Sequence, residues 1–186
     1  MDVLIVVDMQ NDFISGSLAI PEARNLPTKI AEKINQFKEE HESSGVVFFT
    51  LDTHESNYLN TREGKYLPIK HCIDMTPGWC VVDELFDWFD ISEPISKRDF
   101  AVDDWKNIIR DIYKIEPASV EICGVATDIC VISNAIILRQ TFRDIPIKVH
   151  ADLCAGTSPE LHKAALDVMR SCQIEIGDDY YRRGYI

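Results

Sequence analysis

Residues 3–8 read Val3-Leu4-Ile5-Val6-Val7-Asp8, five apolar and mostly β-branched side chains followed by a carboxylate. A run so short and so uniformly apolar is read as a strand over Leu4–Val7, buried on both faces. Such strands belong to parallel sheets covered by helices on either side. The rest of the chain repeats the pattern. Pro27 to Glu40 carries Ile30, Ile34 and Phe37 at helical spacing, and Val46 to Leu51 is a second buried strand. Val81 to Trp88 reads as a short helix and Pro94 to Ser96 as a weak strand before Lys97. Trp105, Ile108, Ile109 and Ile112 mark another helix; Ser119 to Cys123 is a strand ending at Gly124, and Asp128 to Thr141 a helix. Ile147 to Ala151 is a strand. Ser158-Pro159-Glu160 combines a cap, a first-turn proline and an early acid, a good helix start. Gln173 to Ile176 is a last short strand. Strands alternating with helices predict an α/β fold with a mainly parallel sheet of five or six strands and helices on both faces. The stretch from Thr53 to Gly78 is the least regular, and a loop that long in a compact domain is usually functional.

The 186 residues suit a single domain over 1–186, able to bury roughly 70% of its unfolded surface. With 46% hydrophobic and 27% charged residues the chain is not of the disordered class. Its charge sum, 19 − 31 = −12, repels phosphate backbones and anionic membranes, so neither is expected as a partner. Val3 to Val7 is too short to span a membrane and lacks a basic flank and a cleavage site, which makes a cytoplasmic location the expectation. The six cysteines are scattered without a C-x-x-C pair and read as free thiols. The eight glycines include no G-x-G, and there is no P-loop or G-x-S-x-G elbow. Dinucleotide enzymes, P-loop NTPases and elbow-type serine hydrolases are thereby disfavoured.

In an open parallel sheet, sites gather beyond the carboxyl ends of the strands. Those ends offer Asp8, then Asp52 and His54, then Lys97, then Gly124-Val125-Ala126-Thr127-Asp128-Ile129-Cys130. Cys130 lies near the start of the helix opened by Thr127-Asp128, where unpaired N–H groups and the helix dipole favour a thiolate. Lowering a thiol pKa by two units from about 8.5 makes roughly three quarters of it thiolate at pH 7. The alternative is a buried structural cysteine, which suits Cys123 better. Asp8 at the end of an apolar strand needs a partner; Lys97 could supply one, as a plain buried ion pair or as part of a proton relay to Cys130. Asp52 and His54, two residues apart, with His71 and Glu63 nearby, could form a divalent-metal site. A solvated loop with unrelated histidines is the plainer alternative. His41, His150 and His162 lack such neighbours and read as surface residues.

Three segments carry a family likeness: D-M-Q-N-D-F at Asp8–Phe13, G-V-A-T-D-x-C-V at 124–131 and H-C-I-x-x-T-P-G at 71–78. Together they resemble the isochorismatase-like cysteine hydrolase superfamily, over nearly the whole chain. The third segment, with Asp52 and His54, leans toward its nicotinamidase/pyrazinamidase branch. The resemblance implies the three-layer α/β/α fold of that superfamily and a Cys–Asp–Lys triad. Cys130 would be the nucleophile, Asp8 the general base and then acid, and Lys97 the charge balance. It implies an oxyanion hole from the N–H groups of Ala126 and Cys130, with a cis peptide between Val125 and Ala126. It further implies one divalent ion on Asp52, His54 and His71, zinc first and iron or manganese otherwise, with Glu63 available as a further ligand. Phe13 and Phe100 would line the ring pocket. Asn57 and Tyr58 stand where some members carry a further histidine, and Phe100 where members often have tyrosine. The implied reaction converts nicotinamide to nicotinate and ammonia through a thioester, in NAD salvage, by a homo-oligomer acting also on pyrazinamide. Two alternatives stay open. One is a sister hydrolase of carbamoyl, ureido or isochorismate-type substrates, which would not need the metal trio. The other is an idle α/β binding module with a structural Cys130.

Overall fold

The protein, described as a computed structural model over residues 1–90, 92 and 94–177 (for Asp90 the backbone only), is built on one sheet. The expected domain runs on to residue 186, and its residues 178–186 lie outside those described. Among the described residues there are six strands: β1 (Asp2–Val7), β2 (Gly45–Asp52), β3 (Ile95–Lys97), β4 (Ser119–Val125), β5 (Ile147–Ala155) and β6 (Glu175–Ile176). They lie in the order β3-β2-β1-β4-β5-β6, every pair parallel. The helices are α1 (Asn11–Ile14), α2 (Leu26–His41), α3 (Arg62–Tyr66), α4 (Phe86–Asp90), α5 (Ile132–Thr141) and α6 (Pro159–Ser171). They cover both faces of the sheet. No described helix is long and apolar enough to cross a membrane.

Val3 to Val7 are fully buried between β2 and β4, as a doubly covered central strand requires. Removing each such side chain from water contributes about 1.5–3 kcal/mol. α2 turns Leu26, Ile30, Ile34 and Phe37 inward, and α6 turns Ala165, Leu166 and Met169. The Ser158 hydroxyl accepts the Leu161 N–H at 3.2 Å, so the cap read from sequence is formed.

Several boundaries differ from the sequence reading, each for a local reason. β4 continues through Gly124 to Val125 because Gly124 adopts φ +117°, and a Cβ there would strike the Val7 carbonyl. β5 extends to Ala155 because its pairing with β4 jumps: Ile122 faces Val149 but Gly124 faces Cys154, so two steps of β4 meet five of β5. The helix expected over Asp128–Thr141 begins as a π-helical turn, Thr127–Val131, before α5. The helix around Trp105 is likewise π-helical over Asn107–Ile112. The irregular 53–78 stretch contains a 3-10 turn, Tyr58–Asn60, and α3. His41, His150 and His162 are not plain surface residues: all three are partly buried and partnered. His41 lies 3.2 Å from Asp2, His150 shares the Glu121 carboxylate with Lys33, and His162 Nδ1 is 2.7 Å from Thr127 Oγ1. All six cysteines are free.

The chain lays β2 and β3 outward on one side of β1, then returns to place β4 on the other. The exits of β1 and β4 therefore part at a topological switch point, where a crevice opens. Asp8 leaves β1 there, and the turn carrying Cys130 leaves β4.

Candidate active site

Asp8 follows β1 in a left-handed conformation, φ 48°, and its side chain is fully buried. Its Oδ1 accepts the Thr50 hydroxyl at 2.7 Å, and its Oδ2 lies 2.7 Å from Lys97 Nζ. Lys97, the last residue of β3, is buried and reaches across β2 to the same crevice. Its ammonium lies 3.4 Å from Cys130 Sγ and 3.4 Å from Asp52 Oδ1, and donates to the Asp99 carbonyl at 3.1 Å. Cys130 sits in the π-helical turn, buried against the cavity. The structure thus brings Asp8, Lys97 and Cys130 together. The turn is closed by the Ala126 carbonyl, which accepts the N–H groups of Ile129 and Val131 at 3.1 and 3.0 Å. The Val125–Ala126 peptide is cis, as the resemblance implied.

The electrostatics correct one expectation. Burial, foremost, and the neighbouring Asp8 carboxylate push the Cys130 thiol well above its ordinary range, against the opposing pull of Lys97. The dipole of a short π-helical turn does not outweigh that desolvation. Asp8 is also raised, mainly by burial, with Lys97 opposing. Lys97 is held protonated: burial works against its charge, but Asp8, Cys130 and Asp52 outweigh it. Cys130 and Asp8 are thus both shifted toward their protonated forms, and Lys97 toward its ammonium.

Asp52 ends β2 one residue before Thr53 turns the chain, and His54 follows. His54 Nε2 is 3.0 Å and His71 Nε2 3.4 Å from Asp52 Oδ2. The three donor atoms lie within 4.8 Å of one another, and all three residues are buried. Glu63, on α3, holds its Oε1 3.6 Å from each of the two histidine Nε2 atoms. His71 Nδ1 sits 2.9 Å from the Ile69 carbonyl, which places a proton on Nδ1, so that in the neutral ring Nε2 carries the lone pair. Two imidazoles and the Asp52 carboxylate converging on one point, with the Glu63 carboxylate beside the two rings, fit a divalent ion of the zinc, iron or manganese kind. Tyr58 buttresses both rings, with centroids at 4.7 and 5.0 Å, while its hydroxyl donates to the Leu67 carbonyl.

A cavity of about 550 Å³ joins the two clusters. Its lining includes Asp52, Glu63 and His71 from the second cluster, Cys130 from the first, and Ala126, Phe13, Leu18, Ile20, Phe100 and Ile129. Phe13 lies 5.8 Å from the His71 ring, and Phe100 is half exposed at the mouth.

Sequence reasoning missed the residues that hold this arrangement. Gln10 is fully buried: its Oε1 accepts the Asp52 N–H at 2.8 Å, and its Nε2 donates to the carbonyls of Asp52 and Trp79 at 2.9 and 2.8 Å. Asp12 accepts the Cys72 N–H at 2.8 Å, and Asn11 donates to the Pro77 carbonyl at 2.9 Å. The D-M-Q-N-D segment therefore straps the His71-bearing loop to the sheet. Asn134 and Thr50 were also missed. A polar residue four positions after Cys130 inside an apolar helix was the available signal for Asn134.

A switch-point sheet with cysteine, aspartate and lysine converging on a cavity defines a class, and the chain belongs to it: residues 2–178 match the Isochorismatase domain family. Its relatives lie on the nicotinamidase/pyrazinamidase branch. The nicotinamidase/pyrazinamidase of Mycobacterium tuberculosis is 26% identical over 190 residues, covering 95% of this chain and 98% of that protein. The nicotinamidase of Saccharomyces cerevisiae is 27% identical over 219 residues, covering 96% and 100%. Among solved structures, the pyrazinamidase of Pyrococcus horikoshii in complex with zinc superposes with a TM-score of 0.76 at 29% identity, covering 95% and 98%.

Proposed function

We propose that the protein is an amidohydrolase that converts nicotinamide to nicotinate and ammonia, and cleaves pyrazinamide likewise. The observation that carries this is the meeting of the Asp8–Lys97–Cys130 cluster and the Asp52–His54–His71 donor set across one cavity. The names of the relatives, nicotinamidases and pyrazinamidases, support the choice of substrate.

Asp8, made more basic by burial, takes the thiol proton as Cys130 Sγ attacks the carboxamide carbon. The carbonyl electron pair moves onto oxygen, and the oxyanion rests against the N–H groups of Ala126 and Cys130. The C–N bond breaks as Asp8 returns the proton to the departing ammonia, leaving a thioester on Cys130. Water then adds to the thioester carbon, giving a proton to Asp8. The C–S bond breaks, Asp8 returns its proton to the sulfur, and nicotinic acid leaves, ionising to nicotinate as its own proton passes to solvent. Lys97 keeps the charge of Asp8 balanced at 2.7 Å throughout. Asp52, His54 and His71, with Glu63 as a further ligand, would hold one divalent ion, which when bound supplies a Lewis acid for a ring nitrogen. Phe13 and Phe100 confine the ring.

The same reading takes the chain as one domain over residues 1–186 and as a cytoplasmic homo-oligomer in NAD salvage. Its partners are small amides, not nucleic acid or membrane, in keeping with a charge of −12. The test is ammonia release from nicotinamide, pyrazinamide and benzamide, before and after chelation. Nicotinamide and pyrazinamide should be cleaved well and benzamide, without a ring nitrogen, poorly. Equal turnover of benzamide would contradict ring-nitrogen binding. Rapid cleavage of a ureido or carbamoyl amide with no action on nicotinamide would move the protein to a sister activity.

A further inference from the structure

Asn134, in the first turns of α5, is completely buried, and every polar valence of its amide is used. Its Oδ1 accepts the Val102 N–H at 3.1 Å and the Trp105 indole N–H at 2.9 Å. Its Nδ2 donates to the Cys130 carbonyl at 2.8 Å and to the Phe100 carbonyl at 3.3 Å. Two partners can only donate and two can only accept, so the orientation of the amide is fixed by chemistry. One side chain thus joins the backbone of Cys130 to the segment that follows Lys97 and carries Phe100 to the cavity mouth. Neither Asn134 nor its partners Val102 and Trp105 line the cavity.

We propose that Asn134 is a positioning residue, setting where Cys130 Sγ stands relative to Asp8 and Lys97 through its bond to the Cys130 carbonyl. This rests on the reading of Cys130 as the nucleophile. The two halves of the amide have separable duties. The oxygen half anchors the 102–105 segment and serves stability. The nitrogen half restrains the backbone of the nucleophile. Reacting atoms misplaced by about 1 Å can lose roughly a hundredfold in rate, so a restraint of this kind reads out in turnover.

Three variants separate the duties. Asn134→Leu removes both halves. Asn134→Thr loses the anchor but keeps a donor, since a helical threonine hydroxyl reaches the carbonyl four residues back. Trp105→Phe removes one anchoring donor and leaves the Cys130 carbonyl bond intact. Each is assayed for kcat and KM on nicotinamide, for Tm, and for the rate at which iodoacetamide labels the Cys130 peptide, read by mass spectrometry. Asn134→Leu should lower kcat and the labelling rate about tenfold or more, with KM within about twofold. Asn134→Thr should restore both rates to within about threefold of the unmodified protein while its Tm stays low. Trp105→Phe should lower Tm and leave both rates unchanged. Undiminished rates in Asn134→Leu, a slow Asn134→Thr, or an equally slow Trp105→Phe would overturn the proposal. If Asn134→Leu does not fold, Asn134→Val, which has the shape of threonine but no hydroxyl donor, takes its place: it should be about tenfold slower than Asn134→Thr in both rates, and equal rates in the two would overturn the proposal. If the unmodified protein does not hydrolyse nicotinamide, the assigned activity fails while the labelling rates still test the positioning role.

Discussion

Replacing Gln10 by methionine keeps the volume of a fully buried side chain and removes three hydrogen bonds. Two of the groups left behind, the N–H and C=O of Asp52, belong to a buried strand end and have no ready access to water. An orphaned buried polar group costs about 1–3 kcal/mol, so the pair costs roughly 2–6 kcal/mol. The third, the Trp79 carbonyl, belongs to a half-buried residue and can be rewetted. At about 2–4 °C per kcal/mol for a chain of this size, Tm should fall on the order of 10 °C. The lesion also loosens the backbone that presents the Asp52 carboxylate to His54 and His71, so zinc affinity should fall about tenfold, as for other residues that orient ligands. Thermal melting in a chelator isolates the first effect, and competitive zinc titration at a temperature where the variant is folded isolates the second. A Gln10→Met protein with Tm within about 2 °C of the parent and an unchanged zinc midpoint would refute the reasoning.

Cys130→Ala, Asp8→Asn and Lys97→Met should each cut ammonia release by orders of magnitude, with circular dichroism spectra like the parent's; retained turnover in any of them removes that residue from the chemistry. His54→Ala and His71→Ala should each bind less than one equivalent of metal after dialysis, and full metal content with parental activity in both would remove the site. The Glu121 carboxyl, partly buried but paired with His150 and Lys33, is lowered from 4.5 to about 2. Its folded pKa lies below the unfolded one, so its stabilisation is complete above about pH 4.5 and is lost as pH falls toward 2. The full shift would be worth about 3.4 kcal/mol; with the side chain 16% exposed and screened by solvent, roughly 1–2 is expected. Melting of the parent and of Glu121→Gln between pH 6 and pH 3 should show a gap that narrows on acidification, and a constant gap would count against the pairing.

The parts of this protein legible in its sequence are those that local physics writes in full. Val3–Val7 had to be a central strand because nothing polar interrupts it, and Asp8 stood out because a carboxylate ends it. Lys97 and Cys130 were legible as strand-end residues, and His54 and His71 through their types. Gln10 and Asn134 were not, because their partners lie far along the chain or in loops: Gln10 binds backbone 42 and 69 residues away, and Asn134 reaches back 29 to 34 residues to the 100–105 segment. The thiol of Cys130 misled for the opposite reason. Its position at a helix start is local, whereas its desolvation is set by the packed sheet around it. The jump in register between β4 and β5 leaves no mark in hydrophobic pattern, so the length of β5 was misjudged.

Among the described residues, the strand that carries Lys97 lies at the edge of the sheet and pairs with β2 alone, over three residues. Such a strand belongs to the least protected part of a sheet, where opening needs only a fraction of the global unfolding free energy. Amide exchange at Ile95–Lys97 should therefore be faster than in β1, and a brief local opening would carry the ammonium out of the crevice while the other strands stay paired. Heat should silence the enzyme before it melts it: activity should fade several degrees below the loss of helical ellipticity, and return on cooling without refolding of the domain.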